Sequence, residues 1–314
     1  MRFINKLIIA ILLLNIGIYS AHACVQSYRS LLNGMIVHDF GETETPQAKF
    51  DKDSHDSRLL LKQKLEKAKH IYQKSHSIKD YSDYGVMLIY NGQYTKAQNI
   101  FKEIEAKKPG LYATAANLGT VDELLGQDQQ AYKWIKRAIE INPKSHHGSE
   151  WIHLKILDAK LHAHGNPDYY RTHDILGLNF GTDKIPVKNT TRDLHKTKEQ
   201  LYDQLAERLT FIKPKDPVVA QLLFDTGNII AITDDVKTAL DIYAEARRFG
   251  YSGPIIDKRE KYFQQLQKKA DDKRETDGAI PAMAYVIGVA IMLLIIAIPS
   301  VLGCWLFSKW RKRK

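Results

Sequence analysis

Residues 81–143 read YSDYGVMLIYNGQYTKAQNIFKEIEAKKPGLYATAANLGTVDELLGQDQQAYKWIKRAIEINP, and this stretch decides the fold. Within it, one spacing of small, aromatic and apolar residues occurs twice, 34 residues apart. The matched positions are Gly85, Ala97, Phe101 and Pro109 in the first copy, and Gly119, Ala131, Ile135 and Pro143 in the second. A period of this length is typical of a solenoid, in which each helical hairpin contacts only its neighbours.

Each residue type in this pattern has a physical role in a helical hairpin. Gly85 and Ala97 are small where the two helices cross closely, and Phe101 fills the space beside the next pair. Pro109 ends the second helix because proline cannot continue it. The pattern resembles the tetratricopeptide repeat (TPR). This resemblance implies an all-α, TPR-like helical-hairpin solenoid.

A third copy of the pattern lies further along the chain, with Gly227, Ala239 and Tyr243 at the same offsets. Gly227 follows Gly119 by 108 residues, which is three periods and six residues more. The repeat frame is therefore broken between these two glycines. The spacing predicts a repeat domain over 78–253, with repeats near 78–111, 112–145, 146–219 and 220–253, of which the third is interrupted.

The interruption lies between two segments with helical patterns. Residues 148–162 carry apolar positions suited to a first helix, and residues 197–212 carry a leucine stripe suited to a second. We interpret them as one repeat split by an insertion at about 163–197. The insertion contains Leu178 and Phe180, which favour packing against the solenoid over a floppy connector.

Amphipathic segments flank the repeats. Residues 56–77 are predicted to form a capping helix before the first repeat, and residues 254–278 a second capping helix with a short linker. Terminal repeats need such polar-faced caps to be soluble. Residues 24–55 lack helical periodicity, and we expect an irregular or short β segment there.

The N-terminus has the pattern of a signal peptide over residues 1–23. A basic start precedes an apolar run of about a dozen residues, which is too short to span a ~30 Å hydrocarbon core. Ala21-His22-Ala23 fits an A-x-A cleavage site. A lipoprotein signal would also place a cysteine at position 24, although Ala21 and His22 depart from its pattern. Lipidation of Cys24 therefore stays an open alternative.

The C-terminal region predicts a transmembrane helix over residues 279–307, a charge-free run long enough to span a bilayer. The following tail, residues 308–314, carries five Lys/Arg residues, which by the positive-inside rule places it in the cytoplasm. Both terminal signals predict a single-pass protein of the cytoplasmic (inner) membrane of a bacterium. Residues 24–278 would then lie on the extracytoplasmic, periplasmic side.

The charge distribution argues against a nucleic-acid partner. The formal net charge is +10, but the leader contributes +2 and the C-terminal tail +5, which leaves +3 for everything between them. A net charge of +3 over this region is too small to indicate a surface that binds double-stranded nucleic acid. The two cysteines, Cys24 and Cys304, lie in the leader junction and in the apolar run, and they form no zinc-binding pattern.

The sequence predicts no enzyme and no cofactor, since it lacks the HExxH, GxSxG, P-loop and GxGxxG signatures. One alternative stays open, a metal-dependent or hydrolytic enzyme centred on the histidine-rich segment 146–173. Imidazole is a common zinc ligand, although this spacing matches no known metal pattern and the sequence assigns no metal ligand. The histidines there are His146, His147, His153, His162, His164 and His173.

In TPR proteins the first helix of each repeat lines a concave groove, so the resemblance implies a protein-binding scaffold or adaptor. Its partner would be another protein or a peptide segment. The groove positions carry few basic residues, which argues against gripping a terminal carboxylate and favours a helix or extended segment. The candidate groove residues are Lys79, Ser82, Val86, Ile89, Ala116, Thr120 and Glu123.

Overall fold

The computed structural model describes residues 27–30, 36–39, 55–166 and 169–275. The proposed signal peptide, Cys24, the membrane-spanning run and the basic tail lie outside these ranges, so what the sequence says of them stays a prediction. In the described ranges, no helix combines the length and the apolar character that a bilayer crossing requires.

The chain divides into two units. Two short strands in the first unit, β1 (Ser27–Ser30) and β2 (Ile36–Asp39), pair antiparallel, with Ser27 opposite Asp39. The first unit comprises Met1–Ser30, Met35–Glu42 and Leu266–Lys314, and the second comprises Leu31–Gly34 and Thr43–Gln265.

The remaining described structure is all-α and consists largely of antiparallel helical hairpins. The pairs α2–α3, α4–α5 and α9–α10 each form a hairpin, and a 3₁₀ turn at His146–Gly148 precedes α6. The helices are α1 (His55–Ser75), α2 (Ile78–Tyr90), α3 (Tyr94–Lys107), α4 (Tyr112–Leu124), α5 (Asp128–Ile141), α6 (Glu150–Ala163), α7 (Tyr169–Thr172), α8 (Leu194–Phe211), α9 (Pro217–Thr233), α10 (Val236–Phe249) and α11 (254–275).

Close contacts between helices recur at the repeat spacing. A Cβ on Gly85 would lie 2.8 Å from Phe101 Cζ, and one on Gly227 would lie 2.5 Å from Tyr243 Cδ1. In the second copy, a Cβ on Gly119 would collide with the side chain of Ile135. Each glycine thus faces the bulky residue 16 positions later. The close approach of the two helix backbones is what excludes any side chain at these positions.

The local sequence also determines where the helices start and turn. Gly92 and Gly126, 34 residues apart, adopt φ of 71° and 73° between the two helices of their hairpins, a conformation that favours glycine. Asp or Ser side chains cap four helix starts by accepting a backbone N–H three residues on, which satisfies one of the open donors there. The capping residues are Ser77, Asp193, Asp216 and Asp235.

The first helix packs along one face against the first hairpin. Leu65 of α1 is buried in the same apolar cluster as Leu88 and Phe101. The ring of Tyr72 stacks on that of Tyr81, with centroids 4.2 Å apart. Helix α1 therefore covers the outer hairpin, and its opposite face is left to solvent.

The segment between α6 and α8 packs onto α9 and α11. Its side chains Ile175, Leu176, Leu178 and Phe180 are buried. The amide of Ile175 donates to Gln221 Oε1 (2.9 Å), and Gln221 Nε2 donates to the His173 carbonyl (2.9 Å). The side chain of Gln221 in the following hairpin therefore holds the backbone of the insertion with two hydrogen bonds.

A fully buried guanidinium, that of Arg259 on α11, completes this attachment. Arg259 donates to the carbonyls of Phe180 (2.8 Å), Gly181 (2.8 Å) and Asp183 (3.1 Å). It also donates to Asn228 Oδ1 on α9 (2.5 Å). These four acceptors come from two parts of the chain, so Arg259 links the insertion to the third hairpin.

Candidate functional site

A cavity of about 270 Å³ opens between α4, α6 and α8. Its lining combines apolar and charged side chains. Ile212 and Asp216, on the segment that leads into α9, complete the lining. The lining residues are Thr120, Glu123, Leu124, His153, Lys160, Gln204, Glu207, Arg208, Phe211, Ile212 and Asp216.

The floor of the cavity contains a bidentate ion pair between Arg208 of α8 and Glu123 of α4. Arg208 Nη1 lies 2.8 Å from Glu123 Oε1, and Nη2 lies 3.1 Å from Oε2. The side chains are only 7% and 9% exposed. A buried, bidentate arginine–carboxylate pair is geometrically specific, so it fixes the position of α8 relative to α4.

His153 of α6 extends this pair into a network. Its Nε2 lies 2.7 Å from Glu123 Oε2, and its Nδ1 lies 3.7 Å from Glu150 Oε2. The hydroxyl of Tyr112 donates to Glu150 Oε1 (2.6 Å). The result is a continuous chain of charged and polar groups from α8 through α4 to α6 and back to α4.

The electrostatics of the network favour its charged forms. Burial alone would raise the pKa of Glu123, but the neighbouring Arg208 and the hydrogen bonds from His153 and Arg208 hold that pKa well below its usual range. Burial opposes protonation of His153, yet its hydrogen bond with Glu123 and the nearby carboxylate of Glu150 raise its pKa above the ordinary value. Both shifts favour an ion pair between His153 and Glu123, with Arg208 as the second partner of that carboxylate.

Lys160 brings the start of α5 into the same network. Its Nζ lies 3.2 Å from Glu123 Oε1 and 2.8 Å from Asp128 Oδ1. Glu123 is thus approached by Arg208, His153 and Lys160 together. Because these cations are satisfied by carboxylates of the chain itself, the charged floor is internally balanced.

Helix α8 also holds the turn that leads into α6. Gln200 Nε2 donates to the carbonyls of His147 (3.0 Å) and Gly148 (2.9 Å). His146 and His147 adopt φ of 55° and 52°, in the left-handed region that side chains disfavour. The polar face of α8 therefore offsets the cost of a strained turn.

Two histidine–carboxylate contacts also join this turn to α8. His146 Nε2 lies 3.1 Å from Glu207 Oε1, and His147 Nδ1 lies 2.8 Å from Asp203 Oδ2. The hydrogen bond with Glu207, against the opposing effect of burial, raises the pKa of His146 to about 9. His146 is therefore cationic at neutral pH and pairs with α8 as an ion.

The other histidines of the segment 146–173 make local contacts outside this network. His162 Nδ1 lies 2.8 Å from the Asp158 carbonyl, and the ring of His173 stacks on Tyr169 with centroids 4.2 Å apart. His164 is exposed. Across the described part of the chain, no three His, Cys, Asp or Glu side chains come together in a way that could hold a metal ion. The metal-enzyme alternative is not favoured by this arrangement.

The structure separates the candidate groove residues into distinct places. Thr120 and Glu123 line the cavity, whereas Ile89 is part of the apolar core. Lys79 is exposed and pairs with Asp83 at 2.8 Å. The remaining three candidates, Ser82, Val86 and Ala116, are partly exposed.

Sequence reasoning missed the residues that complete the cavity. Arg208 lies 85 residues from Glu123, and no local pattern marks it as a partner of α4. Lys160 and Gln204 look like ordinary polar positions of amphipathic helices. Only His153 carried a signal, as a member of the histidine-rich segment, and that signal suggested a metal where the structure has an ion pair.

Comparison with known proteins adds little. No protein-family model and no curated protein matches the chain. The chain is similar to a solved tetratricopeptide repeat protein from Parabacteroides merdae ATCC 43184, at 14% identity and a TM-score of 0.33, over 69% of this chain and 96% of that one. A likeness this distant carries no functional argument, so the TPR-like architecture rests on the glycine contacts and hairpins of this chain.

Proposed function

We propose that this chain is a membrane-anchored, extracytoplasmic scaffold that binds a segment of another protein in the cavity between α4, α6 and α8, without catalytic activity of its own. The observation that carries this proposal is the position of Thr120 and Glu123. Both were groove candidates from the repeat pattern, and both line the cavity. Solenoids use such inward-facing surfaces to bind partners.

The charge of the cavity argues for binding over chemistry. The carboxylates and cations of its floor pair with one another, so no free acid, base or nucleophile faces the cavity from Glu123, His153 or Arg208. An unpaired charged ligand would have to break these pairs. An uncharged side chain meets no such cost.

The apolar part of the lining limits what can enter. It consists of Leu124, Phe211 and Ile212. Its volume of about 270 Å³ is slightly below the range of pockets that enclose drug-sized ligands. We therefore assign it to one or two apolar side chains of a protein segment that otherwise lies across the surface.

Site-specific crosslinking in cells tests this binding site. A photoreactive amino acid in place of Thr120 should give a discrete adduct with a partner protein, and Leu124→Arg should abolish it by filling the cavity with a charge. The matched control is the same photoreactive residue in place of Val187, which is 51% exposed on the insertion. Identical adducts at both positions, or none at position 120, would refute the cavity as the binding site.

The membrane topology needs a separate test. The charge asymmetry around residues 279–307 and the N-terminal signal support an extracytoplasmic body. In a Cys24→Ser, Cys304→Ser background, Val187→Cys introduces a single cysteine at an exposed position. Its thiol should react with a membrane-impermeant reagent in intact spheroplasts. Labelling only after lysis would place the body in the cytoplasm and overturn this part of the proposal.

A further inference from the structure

The outward face of α1 carries large aliphatic side chains that are not buried in the core of the solenoid. Leu59, Leu60 and Ile71 are 57%, 49% and 41% exposed. The core-facing side of the same helix is marked by the buried Leu65, so the exposed residues are not needed for packing against the core. Exposed aliphatic residues on a terminal helix are a candidate contact surface.

Lysines surround these aliphatic side chains. From residue 59 to the end of α1 there is one carboxylate, Glu66. The lysines are all exposed, and among the residues that the structure describes none of them has an ion-pair partner. They are Lys62, Lys64, Lys67, Lys69 and Lys74.

Helical geometry brings the two residue types onto one side. At about 100° per residue, Leu60, Lys64, Lys67, Ile71 and Lys74 fall within an arc of about 80°. This arc lies away from the face that buries Leu65, and Glu66 lies outside it. The arc, which we term the basic face, therefore combines cations with aliphatic side chains, and from residue 59 to the end of α1 it contains no carboxylate.

We propose that the basic face of α1 binds the surface of an anionic lipid bilayer. A second copy of the same face is disfavoured by like charge, since each copy carries the same lysines and, from residue 59 onward, no acid on this face. A bilayer accepts both components, because lysine side chains reach the headgroup phosphates while Leu60 and Ile71 enter the acyl boundary.

Depth-sensitive fluorescence on the full chain tests this inference. In a Cys24→Ser, Cys304→Ser background, Gln63→Cys places an environment-sensitive fluorophore at the edge of the basic face. In nanodiscs of phosphatidylcholine with phosphatidylglycerol, its emission should shift to the blue and be quenched by headgroup-labelled lipids. Both effects should be lost at high ionic strength and in discs of phosphatidylcholine alone.

Charge reversal provides the matched comparison. Lys64→Glu/Lys67→Glu/Lys74→Glu should abolish the blue shift, whereas Lys133→Glu/Lys136→Glu/Lys144→Glu, at exposed lysines on and just after α5, should preserve it. Circular dichroism confirms that both variants fold. The proposal is overturned if the emission of the label shows no blue shift in anionic nanodiscs. It is also overturned if the blue shift persists in the Lys64→Glu/Lys67→Glu/Lys74→Glu variant. If instead polyglutamate shields the label, the basic face binds an acidic protein and the lipid assignment is wrong.

Discussion

Arg208 of α8 and Glu123 of α4 form a buried bidentate pair across 85 residues of sequence, with N–O distances of 2.8 and 3.1 Å. The pair joins a helix that follows the insertion to one that precedes it. It therefore closes the part of the solenoid where the repeat frame is broken, and it forms the floor of the cavity in the same place.

Removal of Arg208 should destabilise the fold more than removal of a surface partner. Arg208→Met leaves Glu123 buried with only His153 and Lys160 as cations, and we expect a loss of about 3 kcal/mol in the free energy of unfolding. Lys79→Met is the control, since the Lys79–Asp83 pair is 80% and 56% exposed and its loss should cost much less. Urea unfolding followed by circular dichroism measures both. Equal losses would mean that the buried pair does not stabilise the fold.

The stability of the turn before α6 should depend on pH through His146. The folded-state pKa of His146, about 9, lies above its ordinary value of 6.5. The contribution of its pair with Glu207 is therefore complete below about pH 6.5 and is lost as the pH rises through about 9. Glu207→Gln should remove this dependence and return the pKa of His146 towards 6.5. Proton NMR titration of the His146 ring measures the pKa, and an unchanged value in the variant contradicts the assignment.

The glycine contacts should show coupling in a double-mutant cycle. Gly119→Ala forces a Cβ into Ile135, so it should cost about 1–3 kcal/mol even though alanine is the better helix former by about 1 kcal/mol. In an Ile135→Ala background that collision disappears, and the same substitution should cost far less. Denaturant unfolding of the four proteins measures the coupling. Additive effects would show that the two residues do not limit the helix approach.

The insertion should loosen when Arg259 is replaced. Arg259→Met removes hydrogen bonds to three carbonyls between Phe180 and Asp183, with an expected cost on the order of 3 kcal/mol. Trypsin should then cleave at the exposed Lys184 and Lys188 several-fold faster than in the unmodified protein. Arg248→Met, at an exposed arginine paired with Glu245, is the control. Unchanged cleavage in Arg259→Met would show that other contacts hold the insertion.

The repeat architecture could be read from local spacing because its determinants are local. Gly85, Gly119 and Gly227 each face a residue 16 positions later, and such a short separation leaves a visible period in the sequence. The turns at Gly92 and Gly126 repeat for the same reason. The signal peptide and membrane run rest on equally local patterns, and they stay predictions because they lie outside the described residues.

The cavity could be foreseen only in part. Thr120 and Glu123 followed from their repeat positions, but Ile89, from the same set, is in the core. The position of a residue in the repeat predicts which face of its helix it lies on. It does not predict which residues of that face a later helix buries. The path of α8 after the insertion decides that, and no periodicity spans the insertion.

The sequence by itself determined the helical hairpins, their 34-residue period and the place where the frame breaks, because helix propensity, steric size and turn geometry act over fewer than about 20 residues. Only the tertiary structure decided that Arg208 meets Glu123, that His153 contacts the same carboxylate, and that Arg259 holds the insertion. These contacts join segments far apart in the chain. Their charges are stable in the interior only when the complete fold brings the partners within hydrogen-bonding distance.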